Sequence, residues 1–265
     1  MMKKIIEVIK NVNALVLAPE MSLKHKLAYL VSLPFSPITK TVIWFGHLFV
    51  TDNRLGSFLL PGYIREVANL KAIVGELKEV LILDIGANVG QFACTTAAIT
   101  NWQIHSFEPN KKIYEMLLAN TQHNHVQVNN FGIGAISSQD DLYFIEGKSA
   151  QGSTSKEFAK KGLRGNLNSV VIQLVTIEDY LTRLALNKSL CLVMKVDVEG
   201  MEMQVMEQLG SFHFDVVQLE FTPSATSSLE SFIEQASQHL SMDNPALYDL
   251  ESDKGNSPRN IIFKN

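Results

Sequence analysis

Apolar and polar positions along this chain alternate in a pattern of short strands and amphipathic helices. Apolar segments alternate with helical runs between residues 80 and 130, and the same pattern resumes after residue 190. Such alternation indicates βαβ units and a parallel sheet. The predicted core strands are Val80–Asp84, Ile104–Glu108, Val126–Asn130, Leu192–Asp197 and Val216–Glu220. The sequence therefore predicts an α/β fold with a doubly wound, mostly parallel sheet.

The helices and the C-terminal strands extend this prediction. Helices are predicted over 63–77, 90–99, 110–122, 177–186, after Gly200 and around 229–240, with Asn110 as an N-cap. Ala246–Leu250 and Ile261–Phe263 read as two strands, and the short, turn-rich link 251–260 allows them to pair as a hairpin. A parallel sheet that ends in an antiparallel hairpin is the layout of a class I, Rossmann-like methyltransferase domain.

The pattern breaks between Gly132 and Leu190. Leu142–Ile145 and Val170–Val175 look like extra strands, and the segment between them, Gly147–Asn168, is rich in Gly, Ser, Lys and Asn. Long loops inside compact domains are usually functional or disordered. We expect this insertion to contribute to a binding pocket.

Residues 1–60 differ from the rest and are interpreted as a helical N-terminal extension, with the main domain at 61–265. They hold seven Lys/Arg against three acids, a balance of +4. Because the whole chain carries a net charge of −4, the remainder carries −8. Apolar residues recur at helical spacing from Ile5 to Val16, and a second helix is predicted to start after Ser22 and end at Pro34 and Pro37. This extension either packs on the main domain or presents a basic face to a membrane, a partner or an acidic acceptor.

Composition excludes several classes of protein. A net charge of −4 gives no global basic excess, so we expect no nucleic-acid partner. The two cysteines, Cys94 and Cys191, lie far apart in apolar contexts and lack the spacing of a zinc site, which favours free thiols in a reducing cytosol. No apolar run approaches the ~20 residues that span a bilayer. We therefore expect a cytoplasmic protein; the sequence does not decide its oligomeric state.

Four of the predicted strands end in a carboxylate. These are Asp84, Glu108, Asp197 and Glu220. In open α/β sheets the ligand crevice lies outside the carboxyl ends of the strands, so these acids should meet a ligand there.

A glycine turn follows the first strand and leads into a helix. Its spacing, Gly86-Ala87-Asn88-Val89-Gly90, departs from the dinucleotide fingerprint because Asn88 replaces the glycine that admits a pyrophosphate. A ligand without a pyrophosphate, such as S-adenosylmethionine, fits better. Glu108 lies 18 residues beyond Gly90, close to the interval of about 20 at which an acid reaches a ribose. Asp84 can orient the turn and the methionine amino group; the alternatives are a helix cap for Asp84 and a surface acid for Glu108.

Three sequence blocks resemble the FkbM family of S-adenosylmethionine-dependent methyltransferases. They are Leu83-Asp84-Ile85-Gly86-Ala87-Asn88-Val89-Gly90, Phe107-Glu108-Pro109-Asn110 and Lys195-Val196-Asp197-Val198-Glu199-Gly200-Met201-Glu202. The resemblance covers about Tyr63 to the C-terminus and implies methyl transfer, typically to a hydroxyl of a macrolide-type metabolite or a sugar. It also implies a cofactor site, which we assign to Asp84, Gly86, Ala87, Asn88, Gly90, Glu108, Pro109, Asn130 and Ile133.

The acceptor half of the site is expected at the later strand ends. An alcohol is a poor nucleophile until a base or a metal takes its proton. Asp197 or Glu220 could be that base, and together with Glu199 they could hold a divalent cation. Lys195 lies inside an apolar strand, so it needs a carboxylate partner and has either a structural or a catalytic role.

We therefore expect an O-methyltransferase that acts on a hydroxyl of a sugar, glycolipid or secondary metabolite. The alternatives are transfer to nitrogen or to another acceptor class, and a non-catalytic module that binds S-adenosylmethionine. The acceptor partner is a small molecule or a glycan, bound by the Gly147–Asn168 region and the N-terminal helices.

Overall fold

The structure, a computed structural model, describes most of the chain from residue 15 onward. The described residues are 15–51, 56–75, 79–145, 152–160, 166–184, 186, 189–207, 209, 212–221, 228–242, 246–248 and 259–265. The helices are α1 (Leu23–Ser32), α2 (Ser36–Thr39), α3 (Gly56–Val74), α4 (Gln91–Ile99), α5 (Lys111–Thr121), α6 (Lys156–Lys160), α7 (Ile177–Thr182), α8 (Glu202–Met206) and α9 (Leu229–Leu240). The strands are β1 (Thr41–Trp44), β2 (His47–Val50), β3 (Val80–Ile85), β4 (Gln103–Phe107), β5 (Val126–Asn129), β6 (Gly132–Ile133), β7 (Ser138–Ile145), β8 (Leu167–Val175), β9 (Cys191–Val196), β10 (Val216–Phe221), β11 (Ala246–Tyr248) and β12 (Arg259–Lys264).

A seven-stranded sheet forms the centre of the molecule. Its order is β5-β4-β3-β9-β10-β12-β11, with the five strands from β5 to β10 parallel and β12 antiparallel to both of its neighbours. The predicted parallel core and the C-terminal antiparallel hairpin are confirmed, although the link over 249–258 lies outside the described residues. β3 is buried at every position, as expected for a central parallel strand with helices on both faces.

Helices cover both faces of this sheet. On one face α7, α8 and α9 bury Ile177, Val205 and Phe232 in a cluster with side chains from the strands. On the other face α3 and α4 contribute Val67 and Phe92 to a second cluster. Both cysteines are free and buried, as predicted. The doubly wound arrangement leaves the carboxyl ends of β3, β4, β9 and β10 together at one edge.

The N-terminal region contains a β-hairpin, so the prediction of an entirely helical extension is wrong over residues 41–50. Strands β1 and β2 pair antiparallel, and the two residues between them, Phe45 and Gly46, both have positive φ, at 45° and 90°. A two-residue turn with both φ values positive matches the twist of a hairpin. Burial alternates along Thr41–Trp44, as expected for a strand with one face on the core, and these four residues are all β-branched or aromatic.

Three other features of this region bear on the predicted N-terminal extension and on its boundary at residue 60. The helix after Ser22 is confirmed, with the Ser22 hydroxyl accepting from the His25 amide at 3.4 Å. Helix α3 begins at Gly56 and therefore crosses the boundary. Asn120 ties the hairpin to the main domain, since its side chain bonds both backbone groups of Val50 at 2.7 and 2.8 Å. Residues 1–14, which include most of the first predicted helix, lie outside the described residues.

The insertion forms a separate three-stranded sheet. The two extra strands are confirmed as β7 and β8, which pair antiparallel over eight residues, and β6 pairs with the end of β8. The predicted loop Gly147–Asn168 holds the short helix α6 and the start of β8, while 146–151 and 161–165 lie outside the described residues. None of the helices in the described ranges has the length and apolar character needed to cross a membrane.

Candidate active site

The glycine turn joins β3 to α4 and is held from two sides. The amides of Gly86 and Ala87 both donate to the Phe107 carbonyl at the end of β4, at 3.2 and 3.0 Å. On the other side the Asp197 amide donates to the Ile85 carbonyl at 3.0 Å. Gly86 has a φ of +83°, and a Cβ there would overlap the Asp197 carbonyl oxygen. The turn is therefore in direct backbone contact with the end of β9.

Glu108 follows β4 and faces the cavity beside the turn. Its two carboxylate oxygens accept the amides of Asn88 and Asn110, at 3.1 and 2.8 Å. Burial raises the pKa of Glu108 to about 7, even though both hydrogen bonds favour the ionised form. Each oxygen still has a lone pair for another donor. Glu108 thus links the turn to the start of α5 and can still accept ligand hydroxyls.

Asp84 lies beneath the cavity rather than in its wall. Its side chain is fully buried, accepts the Ser106 hydroxyl at 3.3 Å, and lies 3.8 Å from the Lys195 ammonium. Burial raises its pKa to about 6, and the charge of Lys195 opposes that rise. Asp84, Gly90 and Asn130 are not among the cavity-lining residues, whereas the other predicted cofactor residues are: Gly86, Ala87, Asn88, Glu108, Pro109 and Ile133.

Lys195 has the carboxylate partner that the sequence required. Its ammonium donates to Asp197 Oδ2 at 3.1 Å and stacks over the Phe92 ring at 5.2 Å from the centroid. Burial alone would lower the pKa of this ammonium, but the charges of Asp197, Asp84 and Glu66 raise it well above its ordinary value. Lys195 is therefore a fixed cation in the buried part of the cavity wall.

Asp197, Glu199 and Glu220 line the cavity together, and their protonation states differ. Burial favours the neutral form of Asp197, but Lys195 and a hydrogen bond from Glu220 lower its pKa below the ordinary value. The Asp197 charge, followed by burial, raises the pKa of Glu220 well above its ordinary value. Burial, with the charges of Asp197 and Glu202, raises that of Glu199 to about 8. At neutral pH Asp197 is therefore the ionised member of the three.

These carboxylates also match a cation site in their spacing. One oxygen from each of Asp197, Glu199 and Glu220 lies within 4.8 Å of the others. Oxygen ligands of this kind suit Mg²⁺ or Ca²⁺. However, the Lys195 ammonium already neutralises Asp197 from below, and Glu220 shares its proton with Asp197. The geometry permits a cation and does not require one.

Helix α3 brings two polar residues into the site that the sequence interpretation missed. Tyr63 lines the cavity, and Glu66, three residues on, is buried and accepts the Gln218 side-chain amide at 2.6 Å. Burial raises the pKa of Glu66 to about 7. The signal was present: Glu66 interrupts the apolar face of α3, and Gln218 lies between buried apolar residues of β10.

We expect Glu66 to make the stability of the ligand-free protein fall as pH rises. Its folded pKa of about 7 exceeds the ordinary value of 4.5, so the folded state binds more protons than the unfolded state between those pH values. The contribution is present below the unfolded pKa and is lost as pH rises through the folded pKa. The free energy of unfolding of Glu66→Gln should therefore rise by up to about 3 kcal/mol relative to that of wild type between pH 5 and pH 8.

Urea unfolding of wild type and Glu66→Gln at both pH values measures this difference. Glu178→Gln is the matched control, because this exposed glutamate of α7 should leave the pH dependence of wild type unchanged. Parallel stability curves for wild type and Glu66→Gln would mean that Glu66 ionises in the fold as it does in the unfolded chain.

The cavity has a volume of about 440 Å³, and its wall has three parts. The glycine turn, Glu108, Pro109 and Ile133 form one part, and the carboxylates of β9 and β10 form another. The insertion sheet adds an apolar wall from Leu142, Phe144 and Ile172, whose side chains share one face of β7 and β8. Phe158 of α6 lies against Gly200, where a Cβ would meet the ring at 2.6 Å. The insertion therefore covers the acidic turn after β9.

The chain matches one protein family in sequence and resembles solved methyltransferase structures in fold. The sequence profile of the family described as "Methyltransferase FkbM domain" matches residues 84–244. No curated protein sequence matches the chain. Among solved structures, the METTL16 methyltransferase domain is similar in fold, with a TM-score of 0.50 and 10% identity over 92% of this chain and 81% of that one. Magnesium protoporphyrin IX methyltransferase from Synechocystis PCC 6803, solved with bound S-adenosylmethionine, has a TM-score of 0.43 and 13% identity over 77% of this chain and 79% of that one.

The family match includes the glycine turn, Glu108 and the strand-end acids of β9 and β10, and it spans more than half of the sequence. The sheet order and the C-terminal hairpin are those of the class I fold that the sequence predicted. This chain therefore belongs to the FkbM family of S-adenosylmethionine-dependent methyltransferases.

Proposed function

We propose that the protein transfers a methyl group from S-adenosylmethionine to a hydroxyl oxygen of a sugar, glycolipid or secondary metabolite. The observation that carries this proposal is the Asp197 carboxylate, 3.1 Å from the Lys195 ammonium, in the wall of the same cavity as the glycine turn and Glu108. An alcohol acceptor needs such a carboxylate because its hydroxyl must lose a proton as the new bond forms.

The residues around the turn fit S-adenosylmethionine. A ribose presents two hydroxyl donors, and Glu108 is a buried carboxylate with unused lone pairs at the cavity wall. Pro109, Ile133 and Leu174 provide apolar surface beside it for an adenine ring. Gly86 lines the cavity and has no side chain, so its backbone is accessible to a ligand at the helix N-terminus. When bound, the cofactor supplies an electrophilic methyl group on a sulfonium.

The chain's own residues then position and deprotonate the acceptor. Asp197 accepts the hydroxyl proton, since it is the carboxylate that stays ionised at neutral pH. Lys195 and the protonated Glu220 hold Asp197 in place from two sides through hydrogen bonds. Glu202 fixes the turn above them by accepting the Val198 and Gly200 amides at 3.3 and 3.1 Å. In-line displacement depends on this positioning for much of its rate.

The apolar wall favours an acceptor with an apolar body next to its hydroxyl. Leu142, Phe144 and Ile172 would contact that body, and Met201 lies on the same cavity. Thr154 also lines the cavity, and its hydroxyl is buried without a hydrogen-bond partner among the described residues. It can bond one polar group of the acceptor. A glycolipid or a hydrophobic secondary metabolite has both features.

Cofactor binding is the first test. Glu108→Ala should weaken the binding of S-adenosylmethionine by about a hundredfold in isothermal titration. The reason is that the two ribose hydroxyls lose their hydrogen bonds to a charged acceptor. Glu115→Ala, on the surface of α5, is the control and should bind as wild type does. A folded wild-type sample that binds no S-adenosylmethionine would contradict the proposed site.

The reaction itself is tested in cell extracts. Extracts incubated with the enzyme and S-adenosylmethionine should gain products that are heavier by one methylene group, and fragmentation should place the methyl on oxygen. Methylation on nitrogen would support the alternative acceptor class, and cofactor binding without any product would support a non-catalytic module.

Turnover that survives chelation would exclude a requirement for a divalent cation. The cytoplasmic location remains a prediction.

A further inference from the structure

Exposed large apolar side chains are concentrated in the N-terminal region. Of the eleven such residues in the described part of the chain, eight lie between residues 16 and 48. These are Val16, Leu17, Leu23, Leu27, Val31, Phe35, Ile38 and Leu48. Scattered single exposures are normal on soluble proteins, but a contiguous group marks an interaction surface.

Helix α1 orders part of this group into a stripe. Leu23, Leu27 and Val31 recur every four residues and therefore share one face of the helix, with Phe35 four residues further on. Tyr29 and Leu33 lie on a different face and are buried against the β1–β2 hairpin cluster. The helix thus has a second apolar face beyond the one it packs. We call Leu23, Leu27 and Val31 the outer apolar face; Phe35 and Ile38, in the turns that follow α1, are also exposed.

The charges in this part of the sequence are mainly positive. Residues 15–51 contain Lys24, Lys26 and Lys40 and a single acid, Glu20, for a balance of +2, whereas the whole chain carries −4. Lys24 and Lys40 are exposed. A second copy that packed the same face against itself would bring these lysines together. An anionic lipid surface accepts both the apolar side chains and the lysines.

We propose that the outer apolar face docks the protein on an anionic membrane surface, with α1 lying in the interface and Lys24 and Lys40 at the lipid headgroups. This contact is peripheral and separate from the active-site cavity, whose lining includes no residue of α1. It goes beyond methyl transfer and does not depend on the acceptor. A membrane-bound enzyme would meet acceptors that partition into lipid.

Vesicle flotation of the full chain tests the proposal. Wild type should float with phosphatidylcholine vesicles that contain about a quarter phosphatidylserine, and less with phosphatidylcholine alone. Leu27→Glu/Val31→Glu should bind at least about tenfold less, because it places two charges in the apolar stripe. Val171→Glu is the matched control, since Val171 is an exposed apolar residue on the outward face of β8, 63% exposed against 69% for Val31.

Substitution of the lysines provides a second test of the proposal. Lys24→Glu/Lys40→Glu should reduce binding to the phosphatidylserine vesicles and leave the weak binding to pure phosphatidylcholine unchanged. All variants should keep the wild-type melting temperature and S-adenosylmethionine affinity. Equal flotation of wild type and Leu27→Glu/Val31→Glu would overturn the proposal. So would a dimer that this double variant dissociates, or a monomer that binds neither vesicle.

Discussion

Asp197→Asn is expected to lower kcat by about a hundred- to ten-thousand-fold, the usual contribution of a general base. Asparagine keeps the shape of the side chain but cannot accept the acceptor's proton. The Lys195 ammonium loses the negative charge of Asp197 but can still donate to the asparagine carbonyl oxygen, and it retains the charge of Asp84 at 3.8 Å. The fold should therefore persist. Release of S-adenosylhomocysteine in an acceptor-containing extract measures the effect.

The affinity for S-adenosylmethionine should change little in this variant, because Glu108 and the glycine turn remain intact. Isothermal titration separates the two effects. Asp141→Asn is the control, since β7 alternates and its neighbours Asp140 and Leu142, not Asp141, line the cavity. A parallel loss of affinity and turnover in Asp197→Asn would place this residue in cofactor binding rather than in acceptor activation.

The protonation pattern explains why Asp197 is chosen over its neighbours. The sequence placed Asp197 and Glu220 at the ends of two strands, with Glu199 two residues after Asp197, but could not rank them, because all three are carboxylates. The order of their pKa values depends on distances across β9 and β10 and on the buried Lys195. These distances are set by the tertiary structure and cannot be read from the sequence. The sequence therefore predicted the set of candidates, and the structure supplied the order.

Parallel strands were predictable from sequence because a strand buried on both faces reads as a continuous apolar run. Their carboxyl ends then had to meet at one edge, which placed Glu108 and Asp197 in one cavity. The missed elements depend on weaker local signals. The hairpin at 41–50 requires positive φ at Phe45, a conformation that few non-glycine residues adopt and that no propensity indicates.

Glu66 was missed for a different reason. A single acid on an apolar helix face has no meaning until the opposing residue is known, and that residue, Gln218, is 152 positions away. The burial of Asp84 beside Lys195, 111 positions away in the sequence, was equally invisible to the sequence interpretation. Contacts between residues distant in sequence are therefore what the sequence interpretation lacked in both parts of the site.

Gly86→Ala is expected to abolish detectable S-adenosylmethionine binding and to destabilise the fold by about 2 to 5 kcal/mol. Two effects combine at this position. A φ of +83° is strained for any residue with a Cβ, and that Cβ would overlap the Asp197 carbonyl oxygen. Backbone cannot rotate away as a side chain can, so the ends of β3 and β9 must separate. The separation would distort both the cofactor turn and the acceptor carboxylates.

Gly75→Ala separates the two effects, because it carries the conformational strain without the overlap. Gly75 has the same φ of +83°, but nothing lies within 4 Å of the position that its Cβ would occupy. This control should therefore lose only the conformational term, about 1 kcal/mol, and keep full cofactor affinity. Urea unfolding and isothermal titration on both variants give the comparison. If the two substitutions cost the same stability and neither changes affinity, the contact between the turn and β9 is not what holds the site together.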